Sequence, residues 1–360
     1  MSRVYNFSAG PAVLPHEVLE KAQAELVEWG DTGMSIMEMS HRAPVFEGIA
    51  ERAEANLRAL LKVPDSYKVL FLHGPARAQF SAVPLNLSRA GRSVDYLDTG
   101  LWSEMAINEA RKYCEVNVAA SDREGGYLRV PPPDRWRLDD TAAYLHFTPN
   151  ETINGVEYHS LPDAGGVPLV ADMSSNILSK PIDVERYALI YAGAQKNMGI
   201  AGLVVVIARE DLIGHAAATT PEALDYNVHA TQRSMAHTPS VFAWYMAGLV
   251  FEWIEAQGGL EAMARRNQAK AGKFYAYLDG SNFYNNPVDP ASRSLMNIPF
   301  TLADDSLDKR FLAEAERAGL ANLKGHRFVG GMRASLYNAM PEEGVDALIE
   351  FMSDFVESNG

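Results

Sequence analysis

Lys196 and Asp172 are the two residues whose types and placement could do chemistry together. Lys196 stands in Tyr191-Ala192-Gly193-Ala194-Gln195-Lys196-Asn197, between the apolar run Ala188-Leu189-Ile190-Tyr191 and the turn Gly199-Ile200-Ala201-Gly202. Two short apolar segments joined by such a turn predict two buried strands. A lysine at their junction is expensive to bury unless its amine is paired or covalently used. Asp172 lies 24 residues earlier (196 − 172), closing the apolar run in Val170-Ala171-Asp172-Met173-Ser174-Ser175. An amine at one strand end and a carboxylate at a neighbouring one are what pyridoxal phosphate chemistry requires. The lysine forms a Schiff base and the aspartate keeps the pyridine nitrogen protonated. The plainer reading is a solvated loop lysine and an Asp-Ser-Ser turn.

Other segments could complete such a site. Gly74-Pro75-Ala76-Arg77-Ala78-Gln79 falls between a predicted strand and a predicted helix, where first-turn amides could face a phosphate. A tight strand–helix turn explains the same residues, and Pro75 removes one donor. Trp102 follows Gly100 at a helix start, placed to stack on a flat ring or simply to fill the core. Thr152, in Pro149-Asn150-Glu151-Thr152, could bond a cofactor oxygen or cap the turn before Gly155. His41-Arg42, His326-Arg327 and Arg333 supply cationic groups that suit a substrate with two anionic ends if they converge.

The elements that must position these residues follow from periodicity. Strands are predicted at 67–72, 94–98, 116–119, 143–147, 168–171, 188–191 and 203–208, with helices over 15–29, 46–61, 77–87 and 101–113. Alternation of this kind predicts an α/β fold: a mostly parallel sheet flanked by helices, with ligands at the carboxyl ends of its strands. Residues 238–257 read as a helix apolar all round, linking domains or subunits. Beyond Gly258-Gly259 come a charged helix (260–278), strands at 295–301 and 333–337, and helices at 306–318 and 342–356. The expected division is a large domain, 16–258, and a smaller α+β domain of 259–360 joined by the arm 1–15.

Composition narrows the function classes. With 46 acidic and 32 basic residues the 360-residue chain carries −14, which argues against nucleic acid. Anionic ligands must then be held by a few local arginines. Cys114 is the single cysteine, so no intrachain disulfide can form and a reducing, cytoplasmic setting is expected. The N-terminus has no apolar signal core, and the longest apolar stretch, 241–251, is shorter than the roughly 20 residues a bilayer requires. Neither membrane insertion nor a metal is expected.

Taken together, these strings resemble the phosphoserine aminotransferase family, homodimeric pyridoxal phosphate enzymes of fold type I. The resemblance runs nearly end to end, through Asn6-Phe7-Ser8, Ser40-His41-Arg42, Pro149-Asn150-Glu151-Thr152, the Lys196 segment, Lys324-Gly325-His326-Arg327 and Gly330-Gly331-Met332-Arg333. It implies Lys196 as the Schiff-base lysine, Asp172 as partner of the pyridine nitrogen, Trp102 as the stacking residue and Thr152 near the cofactor's oxygens. Ala76, Arg77 and Gln195 fall where the family holds the cofactor phosphate. His237 and Thr238 fall where the neighbouring subunit completes that phosphate site. Arg333 matches the clamp on the substrate α-carboxylate. His41, Arg42, His326 and Arg327 match the group gripping the side-chain phosphate or the γ-carboxylate of glutamate. The reaction implied is glutamate plus 3-phosphohydroxypyruvate giving 2-oxoglutarate plus phosphoserine, for serine biosynthesis. Some members also act on a phosphorylated hydroxythreonine precursor in pyridoxal phosphate synthesis.

The chain departs from the family at Gly74-Pro75-Ala76-Arg77-Ala78 (usually Gly-Gly-Gly-Arg-Gly), at His237 (commonly asparagine) and at Ala9 (often serine). Two other readings compete with this one. A desulfurase on the same scaffold needs a nucleophilic cysteine on a mobile loop. A nucleotide-binding α/β module without catalysis would carry a Gly-x-Gly-x-x-Gly or phosphate-loop motif, and neither is present.

Overall fold

A computed structural model describes residues 3–359. Its centre is a seven-stranded sheet, ordered Tyr67–His73, Leu203–Arg209, Leu189–Gly193, Leu169–Asp172, Leu145–Phe147, Val94–Asp98, Val116–Ser121. Only Leu203–Arg209 runs antiparallel to its neighbours; the rest are parallel to one another. The short turn through Gly199 and Gly202, both at positive φ, makes that reversal by a hairpin, with Ala192 opposite Val205 and Ile190 opposite Ile207.

Alternate strand residues serve opposite faces, and each face has its own apolar cluster. Ile190, Ala192, Val205 and Ile207 join the cluster holding the helices Pro44–Leu61 and Val241–Ala256. Leu189, Tyr191, Val204 and Val206 join the cluster under the helices Gln79–Leu87 and Leu101–Ala110. Because both faces are covered, these strands are buried along nearly their whole length. Helix Val241–Ala256, apolar all round as its sequence indicates, is a core element of this chain. Its Trp244 stacks on Phe71 with ring centroids 4.5 Å apart and meets Phe46 edge-on.

The parallel strands all point their carboxyl ends to one edge of the sheet. From that edge leave the segments bearing Ala76 and Arg77, Trp102, Thr152, Ser174 and Ser175, and Lys196. The first helix is shorter than its periodicity suggests, ending at Ala24 rather than Trp29; the Glu25 carboxylate just beyond it accepts the Tyr245 hydroxyl.

A third cluster gathers Phe7 and Val13 with residues 271–355 around a three-stranded antiparallel sheet, Tyr284–Asn285, Asn297–Leu302 and Met332–Ser335. The arm strand Tyr5–Asn6 pairs in parallel with Leu320–Ala321. We propose the division into 16–258 and 1–15 with 259–360, which this separation of apolar clusters supports.

Candidate active site

Lys196 stands three residues beyond the strand Leu189–Gly193, and its side chain turns into a cavity of about 160 Å³. Its Nζ donates to Thr152 Oγ1 and Ser175 Oγ, both at 2.7 Å, and the two hydroxyls are themselves 2.6 Å apart. The amine lies 5.8 Å from the centroid of the Trp102 indole. Burial pushes its pKa down to about 8, helped by Arg333 and opposed by Asp172 and Glu151.

Asp172 ends its strand on the wall of the same cavity. Its Oδ1 accepts from the Ser174 amide at 3.0 Å and the Ser174 hydroxyl at 2.6 Å. Burial raises its pKa, against the pull of Ser174 and Lys196. Ser174 Oγ in turn accepts from Gly193 N at 3.1 Å, tying the carboxylate's support to the strand that leads to the lysine.

Ala76 and Arg77 open a helical turn after the strand Tyr67–His73, on the rim of the cavity. As first-turn residues their amides have no intrahelical acceptor. Gln195 folds beside them: a Cβ built on Gly193 would meet Gln195 Oε1 at 2.6 Å and the Ala76 methyl at 3.3 Å. The N-terminal arm crosses above, with Ala12 N donating to Gln195 O and Gly10 packed so that a Cβ would lie 3.4 Å from Lys196 Cγ.

Seven of the residues picked out from sequence therefore line one cavity: Ala76, Arg77, Trp102, Thr152, Asp172, Gln195 and Lys196. Arg333 sits close enough to lower the Lys196 pKa. Its guanidinium is largely buried, with Nε lacking any hydrogen-bond partner within the chain. His326 is half-buried beside it, lowered in pKa by burial and by Arg333 and Arg327, while Arg327 is exposed and lies over Phe328.

The structure does not bring His41, Arg42, His237 and Thr238 into this cavity. They form their own cluster. His41 is lowered in pKa by burial, by Arg42 and by His237, and the His237 ring packs on His73 and His229. His73 Nε2 lies 2.6 Å from Thr238 O.

Sequence reasoning overlooked Ser174, Ser175 and Glu151. The serines stood next to Asp172 in the string, but serine is common in any turn, so nothing marked them. Glu151 is fully buried under the start of helix Leu101–Ala110, a contact between segments about 50 residues apart that periodicity cannot reveal. Cys114 carries no catalytic signature: burial pushes its thiol up to about 11, and its Sγ is 3.5 Å from Ala110 O.

Against known proteins, the class-V aminotransferase family profile matches residues 4–348. The chain belongs to the class-V aminotransferase family, in its phosphoserine aminotransferase branch. It is 58% identical to the phosphoserine aminotransferase of Hahella chejuensis over 357 residues, 99% of each chain. Among solved structures it resembles the phosphoserine aminotransferase of Bacillus circulans subsp. alkalophilus, at 48% identity and TM-score 0.97 over 99% of each chain. The PLP-bound phosphoserine aminotransferase of Trichomonas vaginalis is 42% identical with TM-score 0.94, over 98% of this chain and 100% of that one. An α/β fold of the aminotransferase type is shared with both of these structures.

Proposed function

We propose that this chain is a pyridoxal phosphate-dependent phosphoserine aminotransferase, exchanging an amino group between glutamate and 3-phosphohydroxypyruvate. The observation that carries the reading is that a buried amine, Lys196, and a buried carboxylate, Asp172, share one cavity.

The residues present fit the cofactor. Asp172 would face the pyridine nitrogen, the Trp102 indole one ring face, and Thr152 one of the cofactor's oxygens. The open amides of Ala76 and Arg77, with Gln195, would take the phosphate. When bound, pyridoxal phosphate supplies an electron sink that lets the substrate Cα–H ionise. Lys196 Nζ would hold the cofactor at rest and, when free, would take the proton from the substrate Cα. An amine with a pKa near 8 carries a usable neutral fraction at neutral pH, where an ordinary lysine carries almost none. Ser175 and Thr152 hold that amine in place between steps. Arg333 receives the α-carboxylate, which the unpartnered Nε of its buried guanidinium supports.

His326 and Arg327 lie on the same side and would grip the second anionic end. His41, Arg42, His237 and Thr238 lie outside the cavity of their own chain, which favours a homodimer in which each subunit lends them to its neighbour's site. Serine biosynthesis is the setting, with the phosphorylated hydroxythreonine precursor as a second substrate and the cytoplasm as the compartment. No helix among the described residues is long and apolar enough to cross a membrane.

A visible absorption spectrum of the purified protein tests this reading. The expected result is a cofactor band that changes on adding glutamate, and Lys196→Ala is expected to lose both the change and turnover. A colourless protein that takes up no pyridoxal phosphate, or substantial turnover by Lys196→Ala, overturns it.

A further inference from the structure

Glu151 is fully buried beside the cavity and has no part in the reaction described above. Its Oε2 accepts from Trp102 N at 3.1 Å and its Oε1 from Ser103 N at 2.8 Å. These are first-turn amides of helix Leu101–Ala110, which lack intrahelical acceptors, and a carboxylate suits that positive end. The fit leaves no slack: a Cβ on Gly100 would lie 2.5 Å from Glu151 Cδ and 2.7 Å from its Cγ.

Its chain neighbours are committed elsewhere. Thr152 Oγ1 receives the Lys196 amine. Asn150 Nδ2 donates to Asn297 Oδ1 at 2.9 Å, and Asn150 Oδ1 accepts from Ser294 Oγ at 2.5 Å, both partners lying on the far side of the site. Three consecutive residues thus reach the lysine, the helix that bears the indole, and the strand Asn297–Leu302 with its approach. The Trp102 indole cannot orient itself by its own polar atom, because Nε1 is buried without a hydrogen-bond partner. What the structure fixes by hydrogen bonding is its backbone, and Glu151 is the group that fixes it.

We propose that Glu151 is a positioning residue for Trp102: by clamping the first turn of helix Leu101–Ala110, it holds the indole against the cavity at the distance from Lys196 that a flat ring requires. That a ring stacks there rests on the function proposed above; that Glu151 sets the indole does not. Glu151→Gln keeps the shape but turns one acceptor into a donor facing an amide. Gly100→Ala keeps the carboxylate and displaces it sterically, and it carries the test where Glu151→Gln does not fold.

Two readouts separate the claims. In the cofactor-free protein, acrylamide quenching assigned to Trp102 by difference from Trp102→Phe is expected to rise about threefold or more in either variant. In titrations with pyridoxal phosphate, either variant is expected to bind about tenfold or more weakly, the range typical of supporting-residue losses. Wild-type quenching and cofactor affinity, with only a lowered melting temperature, would make Glu151 a helix cap alone and overturn the proposal. Failure of the wild-type protein to bind pyridoxal phosphate at all sinks the functional reading instead, and leaves the quenching result to decide the role of Glu151.

Discussion

At the scale of single residues the site depends on an amine made unlike other amines by its surroundings. The Lys196 cation loses solvation that the two hydroxyls and the distant Asp172 only partly replace, so the neutral form gains and the pKa falls to about 8. At pH 7.5 roughly a quarter of such an amine is neutral, against about one in a thousand for an ordinary lysine. In the cofactor-free protein, the rate of reductive methylation at Lys196, followed by mass spectrometry across pH, is expected to rise with a midpoint near 8. A midpoint above 10 would mean that the cation is held as well as in water. Lys196 and Asp172 were legible in the sequence because each ends an apolar run, where a charged side chain demands a reason. Ser174, Ser175 and Glu151 were not, because what defines them is a partner far along the chain.

Elements show a second lysine with a different task. The helix Gly259–Asp279 reads from its sequence as charged, and yet its Lys270 is only 2% exposed. Its Nζ donates to Tyr337 O at 2.5 Å and Met340 O at 2.9 Å, pinning the turn that leaves strand Met332–Ser335, which carries Arg333. Burial, then Arg266, lowers its pKa to about 7. A base whose folded pKa lies below its unfolded value makes the native state shed its proton first. The unfolded state therefore binds more protons between about 7 and 10.5, and stability rises with pH across that window. Lys270→Met removes both donors and this rise. It is expected to destabilise by roughly 2–3 kcal/mol, and the gap to wild type in thermal melts should widen from pH 7 to pH 9. A gap that stays constant from pH 7 to pH 9 would show that the buried lysine is held as a cation, since both states would then keep the proton across that window. Helix and strand periods predicted most elements to within a few residues, since long apolar patterns dominate there. What they missed were exact ends, as in the first helix, which stops at Ala24 rather than running on to Trp29.

At the scale of the whole molecule, one chain can bring together only some of its anion-binding groups. Arg333 and His326 converge near Lys196, whereas His41 and Arg42 cluster with His237 outside the cavity. Sequence spacing could not distinguish these two sets, because a site shared between copies leaves no periodic trace within one of them. A closed two-fold pair, as proposed above, would offer each site the partner's copy of the second cluster. Mixing Lys196→Ala with Arg42→Ala and allowing subunits to exchange tests this. If Arg42 serves the neighbouring site, hybrid dimers hold one complete site, built from the lysine of one chain and the arginine of the other. Random reassembly makes about half the dimers hybrid, so activity should return to about a quarter of wild type. Were Arg42 to serve its own chain's lysine, no hybrid would contain a complete site and the mixture would stay as inactive as its parents.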